Sequence, residues 1–316
     1  MDQQKRSAKK RHRGIEQRAV INGWLFASPW LIGFAIFTVY AVCASFYYSF
    51  TKFSPVLAPK WIGFENYRKV FTDPITWQAL QNTLIYTFSH MAVNITFSLC
   101  LALLIKKDFR GKTAARVLFF LPSVIPLVAG TMIWIFMLDA SNGIVNKFLG
   151  FLGLYRPNWL MDMNWTKPAV ILISAWGVGT TMMILLAALN EVPASYYEAA
   201  AIDGANGAQR FWHITIPSIS NVMFYQMVLM VINGFQYFTQ VNIILSAMQG
   251  GLNYVTGGPG NSLMMYPLYL YYNAFPYMDM GRGAAMAWLL FLIIAGITVI
   301  MLRVVRKSVT YSVGGE

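Results

Sequence analysis

The segment Asn190–Pro217 reads NEVPASYYEAAAIDGANGAQRFWHITIP, and this polar passage between two long apolar runs decides how the chain is organised. Ser195 and Glu198 have the spacing of a capping box, which predicts that a short helix begins near residue 196. Asp203 and Gly204 follow. Glycine favours the left-handed conformation found at helix C-termini, so the helix is predicted to end there.

The second half of the same segment predicts another short helical piece, from about residue 205 to residue 213. Pro217 suits the first turn of the next long helix, because proline lacks the N–H that a helix start leaves unpaired. Four aromatic side chains are available to pack the two pieces together: Tyr196, Tyr197, Phe211 and Trp212. We therefore expect a compact helix-turn-helix at the membrane surface, and we call it the knob.

Outside the knob, the composition is that of an integral membrane protein. Hydrophobic residues make up 57% of the 316 residues and charged residues only 11%, whereas soluble domains carry about 25% charged residues. Six apolar runs are long enough to cross a hydrocarbon core of about 30 Å. They lie at about 24–50, 82–105, 115–138, 168–189, 218–246 and 283–302. The sequence thus predicts an all-α protein with about six transmembrane helices.

The distribution of basic residues indicates the orientation of these spans across the membrane. Lysine and arginine are concentrated in the tail 1–23, in the connection 106–116 and towards the C-terminal tail 306–316, and they are sparser in the alternate connections. The positive-inside rule then places both termini and the knob in the cytoplasm. The basic tail is expected to lie against anionic lipid headgroups. The tail has no aromatic residues between its basic ones and no motif that would indicate binding to nucleic acid.

The knob resembles the EAA loop of ABC importer permeases, which reads E-A-A-x3-G-x9-I-x-L-P. Ile216 stands where leucine is usual, and the other positions match. The resemblance implies a type I importer permease fold over residues 24–305, with 190–217 as a loop that docks onto a separate ATPase subunit. The residues assigned to this coupling are Glu198, Ala199, Ala200, Asp203, Gly204, Ile214 and Pro217. The alternative is that Glu198 only caps its helix and Gly204 only ends it.

The resemblance covers nearly the whole chain and extends to the carbohydrate-importer branch. The similar motifs are FENY at 64–67, LP at 121–122, NWL at 158–160 and TGGPG at 256–260. The large extracytoplasmic insert of the maltose-type larger subunit is missing, since the first outer loop, about 51–81, is too short to fold as a domain. The resemblance implies a sugar or oligosaccharide substrate in a bacterial inner membrane. It also implies three kinds of partner, namely a second homologous permease subunit, an ATPase dimer and an extracytoplasmic solute-binding protein.

The fifth run supplies the candidate substrate path. Asn233, Gln236, Tyr237 and Gln240 recur at i, i+3, i+4 and i+7, which would place them on one helix face. Amides donate and accept hydrogen bonds to hydroxyls, and a tyrosine ring suits the face of a sugar. The alternative is that these side chains bond across helices and hold the bundle together. Asn94 in the second run is interpreted as structural.

A transporter or channel working alone is the competing class. Ion-coupled carriers ordinarily need intramembrane carboxylates or broken-helix ion sites, and neither is evident from the sequence. A Walker A motif is missing too, so ATP hydrolysis is expected on a partner. No catalytic, metal or cofactor site is predicted, because the histidines are scattered and His90 fits a satisfied core residue. Cys43 and Cys100 lie in apolar runs and are expected to be buried.

The last outer loop, about 253–281, is rich in glycine and aromatic residues. Two interpretations stay open from the sequence. One is a surface helix packed on the membrane interface, where aromatic side chains commonly lie. The other is a contact surface for an incoming solute-binding protein.

Overall fold

The computed structural model describes residues 21–248 and 256–305. The predicted tails up to residue 20 and from residue 306, and residues 253–255 of the predicted outer loop, lie outside the described residues. The described part is helical apart from one two-stranded hairpin, so the predicted all-α class is confirmed. Its α-helices are α1 Ile21–Ser49, α2 Glu65–Thr72, α3 Pro74–Lys106, α4 Lys112–Phe120, α5 Leu127–Met137, α6 Ile144–Phe151, α7 Thr166–Ala175, α8 Gly179–Glu191, α9 Ala194–Ile202, α10 Gly207–Phe235, α11 Thr239–Met248, α12 Tyr266–Ala274 and α13 Met280–Val305.

The spans are of two kinds. Within the described residues, α1, α3, α10 and α13 are each long and apolar enough to cross a membrane as one helix. The third and fourth predicted runs are instead bent pairs. The α4 segment, extended by a 3-10 turn to Val124, meets α5 at 101°, and α7 meets α8 at 51°. Counting each pair as one span gives the six that the sequence predicts.

The fifth predicted run, 218–246, does not form a single helix. Helix α10 ends at Phe235, and the backbone of Gln236 leaves the helical region before α11 begins at Thr239. The hydropathy of the run is continuous across this point, which is why the break was not predicted.

Helix α3 is the axis of the fold. Asp73 caps its start by accepting the Ile75 N–H at 3.0 Å, and Pro74 occupies the first turn, where no N–H is needed. Thirty-three residues then rise about 50 Å, at about 1.5 Å per residue. The helix packs against α8 and α10. Two apolar clusters form along it, and the one towards its C-terminus joins Leu99 and Ile105 to Leu185 of α8.

A β-hairpin that the sequence did not predict precedes α2. Strands β1 (Thr51–Ser54) and β2 (Leu57–Trp61) pair antiparallel. Asn66, at the start of α2, is buried, and its amide donates to the carbonyls of Ser49 and Thr51. This one side chain therefore ties the end of α1, the hairpin and α2 together.

The aromatic segment after residue 256 is not a surface helix, so the interfacial interpretation was wrong. Tyr266, Leu268 and Asn273 of α12 are buried. The loop before α12 is held by α3, because the buried Asn82 donates its amide to the carbonyls of Asn261 and Met264. Polar backbone inside the bundle needs such partners, and α3 supplies them.

Candidate functional site

The first half of the knob is α9, which lies at the surface of the bundle. The helix buries none of its residues. Glu198 is exposed, and the apolar Ile202 exposes 87% of its surface. Gly204 follows with φ +79°, which confirms the predicted left-handed helix end. An exposed apolar side chain beside a carboxylate is suited to contact with another protein.

The start of α9 differs from the prediction. The capping box at Ser195 was wrong, because Pro193 already supplies the extended backbone before the helix and no side chain caps it. The capping box is instead at Asn206. Its Oδ1 accepts the Gln209 N–H at 2.9 Å, and Gln209 Oε1 accepts the Asn206 N–H at 2.8 Å.

The second half of the knob is not a separate helix. Helix α10 begins at Gly207 and runs into the membrane span through a π-helical turn at Phe211–Thr215. Pro217 therefore lies inside α10 and not at its start, and the wide turn before it takes up the irregularity that proline causes. Of the predicted coupling residues, Ala200 and Ile214 are half-buried. The others are exposed: Glu198, Ala199, Asp203, Gly204 and Pro217.

The knob is fixed to the bundle on one face. Tyr197 Oη lies 3.1 Å from Thr215 Oγ1 of α10. Lys106, the last residue of α3, donates to the Leu189 carbonyl at 2.9 Å and lies 5.1 Å from the centre of the Tyr197 ring. Phe211 packs on the apolar cluster shared by α3 and α8. Through Tyr197, α9 therefore contacts α10 and α3.

Further along α3, three helix breaks in the described part of the chain meet at one cavity. They are residues 121–126 between α4 and α5, 176–178 between α7 and α8, and 236–238 between α10 and α11. The cavity has a volume of 420 Å³. Non-helical backbone at membrane depth is tolerated where it lines such a space. The lining residues are Tyr86, His90, Asn94, Pro122, Ser123, Ile125, Leu127, Gly130, Thr131, Trp134, Ile173, Ser174, Trp176, Gly177, Asn233, Gly234, Tyr237 and Gln240.

The predicted polar stripe is brought together, although not as one helix face. Asn233 at the end of α10, Tyr237 in the break and Gln240 in α11 all line the cavity. Gln236 is exposed and is not among the lining residues. The helical premise of the prediction was wrong, because the i+3 and i+4 positions fall in the break.

Helix α3 contributes a row of residues that sequence reasoning had set aside. Tyr86, His90 and Asn94 are spaced four apart and all line the cavity. This spacing was the available signal. The His90 ring is parallel to that of Tyr86 at 5.5 Å, and Tyr86 stacks on Tyr237 at 4.1 Å. The interpretation of His90 as a satisfied core residue was wrong, since its Nδ1 is buried without a hydrogen-bond partner.

The bent pairs contribute the opposite wall. Trp134 and Trp176 meet edge to face at 5.9 Å between ring centres, and Thr131 lies one turn before Trp134. Trp134 Nε1 is buried and lacks a partner. Gly234 lets α10 approach α3, because a Cβ there would lie 2.7 Å from Thr87 Cγ2. The site is therefore a mostly apolar, aromatic-walled space that contains several uncharged polar groups.

At the end of α3 away from the knob, a charged cluster joins three helices. The Asp73 carboxylate accepts from Tyr269 Oη of α12 and pairs with the Arg282 guanidinium of α13. Burial raises the pKa of Asp73, but the hydrogen bonds from Tyr269 and the Ile75 N–H, together with Arg282, outweigh it, so the pKa lies below its ordinary value. Burial and the bond to Asp73 raise the pKa of Tyr269 to about 12.

Across residues 21–248 and 256–305, no group of three or more His, Cys, Asp or Glu side chains has metal-binding geometry. Cys43 and Cys100 are free and exposed, so the expectation of burial was wrong for both. The helix breaks correct a further expectation, because the spans are interrupted as broken-helix carriers are. The case against an ion-coupled carrier therefore rests on the missing carboxylates alone.

Comparison with known proteins places this architecture in a family. The model of the family described as "binding-protein-dependent transport system inner membrane component" matches residues 94–310. The chain belongs to this family. It is an integral membrane permease of the ABC importer type, with the type I permease fold.

Relatives of this permease match along almost their full length. The chain is 36% identical to the probable ABC transporter permease protein YesP of Bacillus subtilis, over 96% of both proteins. It is 31% identical to the lactose transport system permease protein LacF of Rhizobium radiobacter, covering 91% of this chain and 95% of that one. A crystal structure of a bacterial ABC transporter for the acidic polysaccharide alginate superposes with a TM-score of 0.74 at 22% identity. That match covers 93% of this permease and 98% of the other chain.

Proposed function

We propose that this permease forms one half of the membrane path of an ATP-driven sugar importer. The convergence of three helix breaks on one cavity, lined by aromatic and uncharged polar side chains, carries the proposal. Discontinuous helices are how membrane transporters expose polar groups to a solute within the bilayer. The cavity volume of 420 Å³ lies in the range of about 300–1,000 Å³ that small-molecule sites occupy.

The names of relatives support a sugar as the solute. Besides the lactose permease, they include the arabinooligosaccharides transport system permease protein AraP of Bacillus subtilis, which is 29% identical over 89% of this chain. The lining suits such a solute, because amides from Asn94, Asn233 and Gln240 can pair with hydroxyls. Tyr237, which is half-buried and lines the cavity, supplies an aromatic ring of the kind that packs on a pyranose face.

The knob is the proposed docking element for an ATPase dimer. Helix α9 is exposed on the side away from the bundle, while Tyr197 and Lys106 connect its other side to α10 and α3. A movement of α9 at Glu198 would thus be transmitted to α10 and α3, which both line the cavity. The positive-inside rule supports a cytoplasmic knob, because Lys106, Lys107 and Arg110 lie at the same end of α3 as the knob.

A second permease subunit is the proposed partner within the membrane. The most apolar stretch of α1 buries none of its residues inside this chain. Trp30, Phe37 and Tyr40 expose 68%, 80% and 68% of their surfaces. A span with so little contact to its own bundle is available to pack on another chain. A solute-binding protein would deliver the sugar at the opposite surface. In support, a solved structure with the same fold is a bacterial alginate ABC transporter in complex with an alginate pentasaccharide-bound periplasmic protein.

The competing function is a carrier that works alone. Co-purification separates the two, since a lone carrier would bring no ATPase with it. The decisive variant is Glu198→Lys in the complete importer. We expect it to lose the ATPase on purification and to lose transport. Glu198→Gln should keep more of both, because it keeps the helix and removes only the charge.

Glu65→Lys is the matched control, since Glu65 is an exposed acidic helix residue at the other end of the bundle. It should retain the ATPase. Restored transport on pairing Glu198→Lys with a charge-reversed residue of the ATPase would establish the contact. Normal transport by Glu198→Lys with the ATPase bound would reduce Glu198 to a surface residue, and the docking proposal at that position would fail.

A further inference from the structure

The segments that line the cavity carry no formal charge at all. Residues 74–105, 117–138, 168–190 and 211–278 contain no Asp, Glu, Lys or Arg, and every lining residue belongs to one of them. Helix movements during transport could rotate other side chains of these segments towards the solute. None of those side chains would be charged, so the neutrality of these segments is a property of the sequence and does not depend on which of their faces meets the solute.

The polar groups that do line the cavity have spare hydrogen-bonding capacity. His90 Nδ1 and Trp134 Nε1 are buried with no partner, and the indole N–H can only donate. Unpaired buried donors are uncommon in folded proteins and call for a specific explanation. A sugar hydroxyl or ring oxygen is an acceptor of the kind the Trp134 indole lacks, and a hydroxyl can also pair with His90 Nδ1 whether that nitrogen donates or accepts. The rings of Tyr86 and Tyr237 lie close to them in the same lining.

For an anionic solute, the free energy of transfer from water into this cavity is less favourable. Moving a carboxylate or phosphate into a site without a cation costs far more than moving a hydroxyl. His90 is the one histidine among the lining residues. Relatives of this permease differ on this point by name, since they include an sn-glycerol-3-phosphate permease of Pectobacterium atrosepticum, 30% identical, as well as the lactose permease. Solute charge therefore varies among related permeases. For each one it has to be inferred from the residues that line its own cavity.

From this lining, and resting on the proposed function, we infer that the permease is selective for uncharged, hydroxyl-rich solutes. Its substrate is a neutral oligosaccharide rather than an acidic one. Trp134 is a specificity-determining residue that donates a hydrogen bond to the passing sugar.

The first test is competitive uptake by the complete importer in proteoliposomes at pH 8, where histidine is mostly neutral. The vesicles receive an equimolar mixture of neutral oligosaccharides from starch, arabinan and galactan with acidic ones from pectin and alginate, plus amino acids. Mass spectrometry then identifies what has accumulated inside. We expect neutral oligosaccharides at least tenfold above acidic ones. Acidic oligosaccharides at equal or higher levels would overturn the inference and leave the sugar importer standing. Uptake of amino acids without any sugar would instead overturn the proposed function.

The second test separates the cavity from the binding protein, which also selects solutes. Trp134→Phe keeps the ring and removes the donor, so KM for the accumulated sugar should rise about 2- to 10-fold. Trp77→Phe is the control, because Trp77 Nε1 donates to the Phe71 carbonyl at 2.9 Å, away from the cavity. Its KM should match that of the unmodified importer. Assembly with the ATPase, measured by gel filtration, should be normal in both. An unchanged KM in Trp134→Phe would show that the sugar does not use this donor, and the role of Trp134 would be wrong.

Discussion

Gly179 is the position where the bundle should be most sensitive to a single methyl group. It begins α8 just after the second helix break and lies against the backbone of α4. A Cβ at Gly179 would lie 2.3 Å from the Phe119 carbonyl oxygen and 2.8 Å from Phe120 Cα. Since ordinary Cβ contacts begin at 3.4 Å, Gly179→Ala requires the two helices to separate by about 1 Å, which a close-packed interior resists.

The expected loss of stability in Gly179→Ala depends on whether the clashing atoms can move. The clashing atoms belong to backbone and not to a flexible side chain, so no rotamer change relieves them. Overpacking of this kind typically costs about 1–3 kcal/mol. The higher helix propensity of alanine offsets up to about 1 kcal/mol of this overpacking cost. We expect a net loss of about 1–2 kcal/mol, which lowers the apparent melting temperature by roughly 2–8 °C for a protein of this size.

Gly177→Ala provides the matched control two residues away. The nearest atom to a Cβ there is the Ser174 carbonyl oxygen at 3.6 Å, an ordinary contact. Thermal unfolding of both purified variants in the same detergent, followed by tryptophan fluorescence, makes the comparison. Gly177→Ala should stay within about 0.5 kcal/mol of the unmodified permease. If Gly179→Ala melts at the same temperature as Gly177→Ala, α8 does not approach α4 as closely as described.

Three further changes test other parts of the molecule by the same melting assay. Asp73→Asn should lose about 2 kcal/mol at pH 7 through its contacts with Arg282 and Tyr269. Because the folded pKa of Asp73 is lowered, that stabilisation is present above about pH 4, the ordinary aspartate value, and is lost as pH falls below it. The difference from the unmodified permease should therefore shrink towards pH 3, and a constant difference would count against the pair. Gly204→Ala should cost about 1 kcal/mol through its left-handed φ alone, since its Cβ would meet no atom within 4 Å, and Gly204→Asn should cost less. Asn82→Ala should cost about 2 kcal/mol, because it leaves the carbonyls that Asn82 holds unpaired; an unchanged melting temperature would show that water replaces it.

Local signals in the sequence were sufficient for the spans and for part of the knob. Six apolar runs predicted six membrane crossings, and Gly204 predicted the end of α9 because a left-handed residue has a strong local preference. The capping box failed at Ser195 for a similar reason. Serine, proline and asparagine all serve as helix entry residues, and only the folded chain shows that Pro193 and Asn206 take those places.

Hydropathy says how apolar a segment is, and it does not say where a helix stops within it. Pro122 and Pro126 were visible signals for the first break. The other two breaks, near Gly177 and Gln236, have no proline beside them, and there burial against neighbouring helices decides the backbone. The predicted stripe therefore included Gln236, which the break turns away from the cavity, and it omitted Tyr86 and His90, which lie far from it in sequence.

The sequence by itself determined that the chain spans the membrane about six times, carries a polar knob that contains Glu198, and places no formal charge in the segments around the path. These properties depend on residue type and local spacing, and any fold of the chain would keep them. Only the tertiary structure decided that three breaks meet at one cavity and that Asp73 pairs with Arg282 across most of the chain. It also decided that His90 Nδ1 and Trp134 Nε1 are buried without partners beside that cavity. Each of these depends on which helices lie side by side. Contacts between residues far apart in the chain produce no periodic pattern in a single sequence, whereas an amphipathic helix does.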